Sequence, residues 1–303
     1  VCDVVEESSR QSREHCSCYA FPMFGRALIL FLSVLPKHAL SRGAGWIANR
    51  TIPVPLRGPV HRAYSRVFGA RPEEAALPVE QYPTLNAFFT RTLRPGLRPV
   101  ATGAIVSPVD ATVGAYGEVR SDTLVQAKGR DYSLAALLGD GESADRFEGG
   151  TYATLYLSPK DYHRIHAPVA GDITAAAYIP GELWPVNVAA VANVANLFAV
   201  NERIVVGMDG ARGGRVAVVP VGATMVGMTR LAFDDLHTNA RRREVRHRRY
   251  DPPVRIETGA ALGHFEFGST VVLVCSPDAG TIEPLTVGAT VRMGQRLGPL
   301  PSR

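Results

Sequence analysis

Cysteine is scarce where it could cross-link. Of four, Cys2, Cys16 and Cys18 fall in the first eighteen residues and only Cys275 lies in the body of the chain, which excludes a disulfide framework. Cys16 and Cys18 are one residue apart rather than the usual two to four or so of a metal-binding pair, and no matching Cys/His pair follows, so no metal is expected. Long apolar runs are missing too. The longest, Ala27 to Leu35, lies between Arg26 and Pro36 and falls far short of the roughly 18 to 20 residues of a bilayer span. A secretory signal would want a basic start, yet Asp3, Glu6, Glu7 and Glu14 stand in the first fifteen residues. Nor is there a heavy excess of one charge: 33 Lys and Arg against 28 Asp and Glu give +5. That balance suits an anionic surface or a small anionic substrate and does not favour nucleic acid.

What is present is a globular composition. The 303 residues are 46% hydrophobic and 20% charged, with 29 Gly and 22 Pro, which fits one or two turn-rich domains at about 150 residues each. The run from Ala27, with Phe21, Phe24, Leu28 and Phe31 on one side and Arg26 and Lys37 as headgroup contacts, reads either as an interfacial helix or as a buried core helix. Residues 37–50 and 82–93 read as amphipathic helices, the second opening on Pro83 and Thr84. From Val100 onward, short runs of Val, Ile, Ala and Tyr are broken by Gly and Pro every ten residues or so, the pattern of a compact β structure.

The expected fold class is therefore α+β, with N-terminal membrane-associating helices over 1–98 and a β-rich barrel or sandwich-like catalytic body over 99–303. SPVDATVGAYGEV from Ser107, APVAGDITAAAYIPGEL from Ala167 and TVGATVRMGQRLG near the end echo one another weakly, as similar hairpins of a barrel or sandwich would. Arg241 to Arg249 packs six arginines into nine residues with only Tyr250 nearby. It reads as a solvated loop or as a contact for anionic lipid headgroups, each basic side chain worth about 1 kcal/mol near such a surface.

Three clusters put reactive groups beside turn residues: Ser107-Pro108-Val109-Asp110, Asp161-Tyr162-His163-Arg164-Ile165-His166, and Gly268-Ser269-Thr270. Together they offer a carboxylate, two imidazoles and a hydroxyl, and triads of such groups depend on geometry rather than chain order. His163 and His166 lie between Pro159 and Pro168 in an extended context, which disfavours a metal pair on a helix face and predicts separate tasks for the two rings. FEFGSTVVLV has no second glycine after Ser269, so it is not the GxSxG elbow of hydrolases. It places an unhindered glycine carbonyl directly before a hydroxyl, as a serine attacking its own chain would need. An ordinary serine hydrolase using Asp110, His166 and Ser269, and a non-enzymatic membrane or nucleic-acid binder, are the rival readings.

Several segments together resemble the phosphatidylserine decarboxylase family: LPKHALSRGAGWIAN, LNAFFTRTLRPGLRPV, SPVDATVG, QAKGRDYSLAALLG, YLSPKDYHRIHAPVAG, PGELWPVN, NLFAVNERIVV, VPVGATMVG and GHFEFGSTVVL, in order from about residue 35 to the C-terminus. The resemblance implies a proenzyme that cuts itself between Gly268 and Ser269. His166, oriented by Asp110, would deprotonate Ser269, whose oxygen attacks the Gly268 carbonyl. Elimination and hydrolysis would then leave an N-terminal pyruvoyl group as the covalent cofactor, which forms a Schiff base with the substrate amine. His163 would serve the decarboxylation step.

The implied partners are phosphatidylserine, an anionic membrane surface, and the long and short fragments held together as a heterodimer. Homo-oligomerisation is compatible with the resemblance, no nucleic acid is expected, and the expected location is peripheral on the cell membrane. Three features depart from the family pattern: Ala111 in place of glycine, Phe267 in place of leucine, and the strongly basic block at Arg241 to Arg249. The first fifteen residues match nothing in it.

Overall fold

The computed structural model describes residues 37–127, 130–224, 228–239, 244–266 and 269–301. The expected interfacial helix around Ala27, the N-terminal cysteines, Arg241 to Arg243, Phe267 and Gly268 lie outside the described residues. Residues 36–303 make one compact unit.

Helix α1 spans Lys37–Ala48, as the sequence pattern predicts. Helix α2 spans Val54–Phe68, a segment to which the sequence assigns no element, and Pro55, Gly58 and Pro59 oppose helix by propensity. Pro55 falls in the first turn, where its missing N–H costs nothing. Gly69 ends the helix at φ 75°, a left-handed conformation that favours glycine. The helix expected over 82–93 shortens to α3, Leu85–Phe89, whose N-cap Thr84 Oγ1 accepts from Ala87 N–H at 3.0 Å. Phe88 and Phe89 bury their rings with Tyr64 and Tyr82 in a small aromatic core.

The body contains fifteen strands among the described residues: β1 Ala104–Val106, β2 Ala111–Glu118, β3 Thr123–Ala127, β4 Arg130–Ser133, β5 Thr151–Leu157, β6 Arg164–His166, β7 Gly171–Ile179 and β8 Arg203–Gly210. The others are β9 Arg215–Val221, β10 Met228–Leu231, β11 Arg246–Ile256, β12 Ala261–Glu266, β13 Ser269–Cys275, β14 Thr290–Val291 and β15 Arg296–Pro299. Eight form an antiparallel sheet in the order β11-β7-β8-β9-β13-β5-β2-β14, and three form a second sheet, β10-β12-β6. The sheets are open, so the barrel half of the expectation is not realised among the described residues, while a layered arrangement is.

Alternation decides the layers. Leu155, Leu157, Ile204, Val206, Val271 and Leu273 face one side and pack with Ile165, Leu231, Leu262 and Phe265 of the three-stranded sheet. Tyr152, Val219, Val272 and Val274 face the other side and pack with Leu134, Leu137, Leu197 and Phe198, which belong to short helices.

Hydrogen bonds join the residues before position 98 to the β body. Tyr64 Oη donates to Pro159 O at 3.0 Å, and Arg164 Nε donates to Thr90 O at 2.9 Å. The basic block also gains a place: Arg246, Arg248 and Arg249 lie on β11, the edge of the large sheet, rather than in a loop. Charged side chains on an edge strand deter pairing with another sheet.

Candidate active site

Cross-strand register places the reactive residues. Val221, Thr270, Tyr156 and Thr112 pair successively across β9, β13, β5 and β2, and Ser269 pairs with Leu157 in the next row toward the sheet's end. Asp110 lies two residues before Thr112, at that same end. β6 pairs with β12, the strand whose last residue, Glu266, is three positions before Ser269. Phe265 N–H donates to His163 O at 2.9 Å, which extends this pairing to the first histidine. All four expected residues are thus carried by neighbouring strands and turns.

Ser269 is fully buried, and its Oγ has no hydrogen-bond partner among the described residues. An unmade bond of this kind costs about 1–3 kcal/mol. Its position at the start of a central strand explains the burial: β13 is flanked by β5 and β9, and every residue from Ser269 to Cys275 is buried.

The two histidines have different surroundings, as the extended context predicts. His166 Nδ1 lies 2.7 Å from Gly259 O and its Nε2 lies 3.1 Å from Tyr162 Oη. A carbonyl only accepts, so Nδ1 carries the proton and Nε2 presents the lone pair, which accepts from the Tyr162 hydroxyl. Burial lowers the pKa of His166, partly offset by the Gly259 carbonyl. Burial also raises the Tyr162 phenol to about 12, so it stays a donor at neutral pH.

His163 Nδ1 donates to Asp161 O at 2.8 Å, its ring lies 4.0 Å from that of Phe89, and its buried Nε2 has no hydrogen-bond partner among the described residues. Burial drives its pKa down to about 3, against the pull of the Asp161 carbonyl, so the ring is neutral at pH 7.

Asp110 is engaged elsewhere than the resemblance implies. Its carboxylate accepts from Arg98 Nε at 2.9 and 3.0 Å and from Arg98 Nη2 at 2.5 Å, and Oδ1 also accepts from Met293 N–H at 2.8 Å. Arg98 in turn binds Glu74 at 2.7 Å. No hydrogen bond joins Asp110 to His166; the Gly259 carbonyl orients that ring. The turn is closed by Ser107 Oγ, which donates to Val109 O at 2.7 Å, and Ala111 is accommodated in β2 opposite Val291. Removing Arg98 would leave the nearly buried Asp110 carboxylate with no cation and only the Met293 N–H, a change typically worth about 3–5 kcal/mol, while Glu74 would keep its pair with Arg71 at 3.0 Å. Arg98, Tyr162 and Gly259 received no role from the sequence, although Tyr162 stands inside the cluster that drew attention and Arg98 inside LRPGLRPV.

A family model described as phosphatidylserine decarboxylase matches residues 85–299. A relative from Anaeromyxobacter sp. (strain K), named phosphatidylserine decarboxylase proenzyme, is 47% identical over 281 residues, covering 91% of this chain and 99% of its own. One of the same name from Myxococcus xanthus is 45% identical over 279 residues, with the same coverage of both chains. Another from Brevibacillus brevis is 40% identical over 267 residues, covering 87% of this chain and 94% of its own. With these matches over nearly its whole length, the chain belongs to the phosphatidylserine decarboxylase family.

Proposed function

We propose that the chain is a self-processing decarboxylase that converts phosphatidylserine to phosphatidylethanolamine in phospholipid biosynthesis, using a pyruvoyl group made from Ser269. The observation that carries the processing step is the Ser269 hydroxyl, fully buried, without a partner, and directly after a glycine in sequence. In the uncut chain a hydroxyl with no exposed surface meets no external ester, which favours attack on its own chain over a serine hydrolase. The neighbouring peptide carbonyl is within its own chain.

On this reading His166 Nε2 takes the Ser269 proton once the Tyr162 hydroxyl gives way, with Gly259 O holding Nδ1–H so that the lone pair stays on Nε2. The Ser269 oxygen adds to the Gly268 carbonyl carbon, the C–N bond breaks, and the amine of residue 269 leaves with the proton from His166. The resulting ester loses the carboxylate of Gly268 by elimination, and hydrolysis of the alkene releases ammonia. Arg98 and Met293 N–H fix Asp110 beside this region as a buried anion. The pyruvoyl carbonyl supplies an electrophile for the substrate amine and accepts the electron pair released as carbon dioxide departs. His163 Nε2, buried and unpartnered, is the protein group placed to take up and return a proton.

Mass spectrometry of the purified protein tests the reading. Fragments of 268 and 35 residues are expected, with borohydride in the presence of substrate trapping an adduct on the smaller one. An intact chain with unmodified Ser269 would overturn it.

The first two helices support a peripheral membrane location. Residues 37–68 contain no Asp or Glu. Leu40, Trp46, Ile47, Val54, Leu56 and Val67 are exposed there, and Arg50 lies 3.7 Å over the Trp46 ring. Apolar side chains interleaved with arginines suit an anionic headgroup layer. Sedimentation with phosphatidylglycerol vesicles should weaken markedly on joint replacement of Trp46, Ile47 and Val67 by Ser; unchanged sedimentation would remove the role of this face.

A further inference from the structure

Arg203 pairs with Val221, and Val221 with Thr270, which sets Glu202, Gly222 and Ser269 in the next row of the sheet. Gly222 N–H donates to Glu202 O at 2.8 Å, continuing the ladder. Residues in one row point to one face, and the packing agrees: Ile204 and Val271, two positions on from Glu202 and Ser269, share one core layer. Glu202 and Ser269 therefore project from the same face, two strand spacings of about 4.8 Å apart. The residue between them is a glycine, which contributes no side chain of its own to the interval, and Leu183 packs over it. A Cβ on Gly222 would stand 3.0 Å from Glu202 O and 3.2 Å from Leu183 Cδ2.

The Glu202 carboxyl is only 2% exposed. Its Oε1 accepts from Tyr178 Oη at 2.7 Å and from Asn239 N–H at 2.8 Å. Oε2 is buried with no partner. A carboxyl held by one oxygen with the other unpartnered has an unmet need for a donor, and no cation among the described residues pairs with it. Burial raises its pKa, against the pull of the Tyr178 and Asn239 hydrogen bonds. His38 and His237 add weaker positive fields.

We propose that Glu202 is the group that receives the ammonium of the substrate's seryl headgroup: Oε2 takes one N–H proton, the N–H bond breaking as the O–H bond forms, so that the nitrogen keeps its electron pair as a nucleophile. The inference rests on the reading of Ser269 as the site of the pyruvoyl group. An ammonium cannot attack a carbonyl, so a proton acceptor facing Ser269 is a chemical requirement of that reading, and neither histidine lies in this row. A raised pKa suits the task, since a base acts best when its affinity for the proton approaches ambient pH.

The test uses the full-length enzyme and the variant Glu202→Gln, which keeps size and the Tyr178 contact. Three quantities are read: the two fragment masses, the rate at which cyanoborohydride traps phosphatidylserine on the 35-residue fragment, and the rate at which hydroxylamine modifies that fragment. Hydroxylamine is uncharged near neutral pH and has no ammonium proton to give up. E202Q should cleave normally and take hydroxylamine at the wild-type rate, while trapping and kcat/KM for phosphatidylserine fall by about 100-fold or more.

Wild-type trapping, or an equal loss with both reagents, overturns the inference. Should E202Q accumulate uncut, Glu202→Asp carries the test, with the same selective loss expected from drawing the carboxyl back by one methylene. If both variants stay uncut while the wild type is cut, Glu202 is structural and the inference fails. A wild-type enzyme whose small fragment takes neither reagent would instead refute the reading of Ser269.

Discussion

Ser269→Ala protein is expected to run as one chain of 303 residues, with no fragments and no measurable decarboxylation. The loss should exceed the roughly 10²–10⁴-fold typical of deleting one proton-transfer group, because the electron-accepting carbonyl would never be made. Stability should move the other way. The Ser269 hydroxyl is buried without a partner, so its removal forfeits no hydrogen bond and relieves a desolvated oxygen. A melting temperature equal to or above that of the uncut wild-type precursor would agree with this. Normal cleavage of the variant would refute the assignment of the cut.

His163→Ala is expected to separate the two chemistries. Cleavage should proceed, since the lone pair assigned to that step belongs to His166, while decarboxylation by the cut enzyme should fall by about 10²–10⁴-fold. With Nδ1–H committed to Asp161 O, only Nε2 can handle a proton, and it must first take one before returning it. Its ring is neutral at pH 7, which leaves that lone pair free. Electrophoresis for cleavage and carbon dioxide release for turnover read the two steps independently. An uncut variant would assign His163 to processing instead.

The β body and the candidate residues it carries were legible because both are local. Alternating apolar residues between Gly and Pro declare strands, and the motif around His163 and His166 lies within a few residues. Helix α2 was hidden because Pro55, Gly58 and Pro59 oppose helix by intrinsic propensity, whereas burial of His61, Tyr64 and Ser65 against the aromatic core sustains it. Closure of the sheet was not legible, since it depends on whether β11 and β14 meet, a matter of strand tilt and register rather than composition. The partner of Asp110 was missed for a related reason: Arg98 is twelve residues away and Met293 one hundred and eighty-three, and only the folded chain brings them to one carboxylate. Glu202 stood in plain view within NERIVV, but its relation to Ser269 is a property of cross-strand rows and runs through two other strands.

The central place of β13 has a consequence for the cut molecule. Its 35-residue piece would supply the strand between β5 and β9, the outer strand beside β2 and the partner of β1. Such a piece is woven into the fabric and has no path of escape short of global unfolding. Once unravelled, the larger piece would present two bare sheet edges where that strand had been, an invitation to mispairing. The enzyme would therefore be assembled once, as a precursor, and its denaturation would be a one-way passage even though only a single peptide bond had been lost.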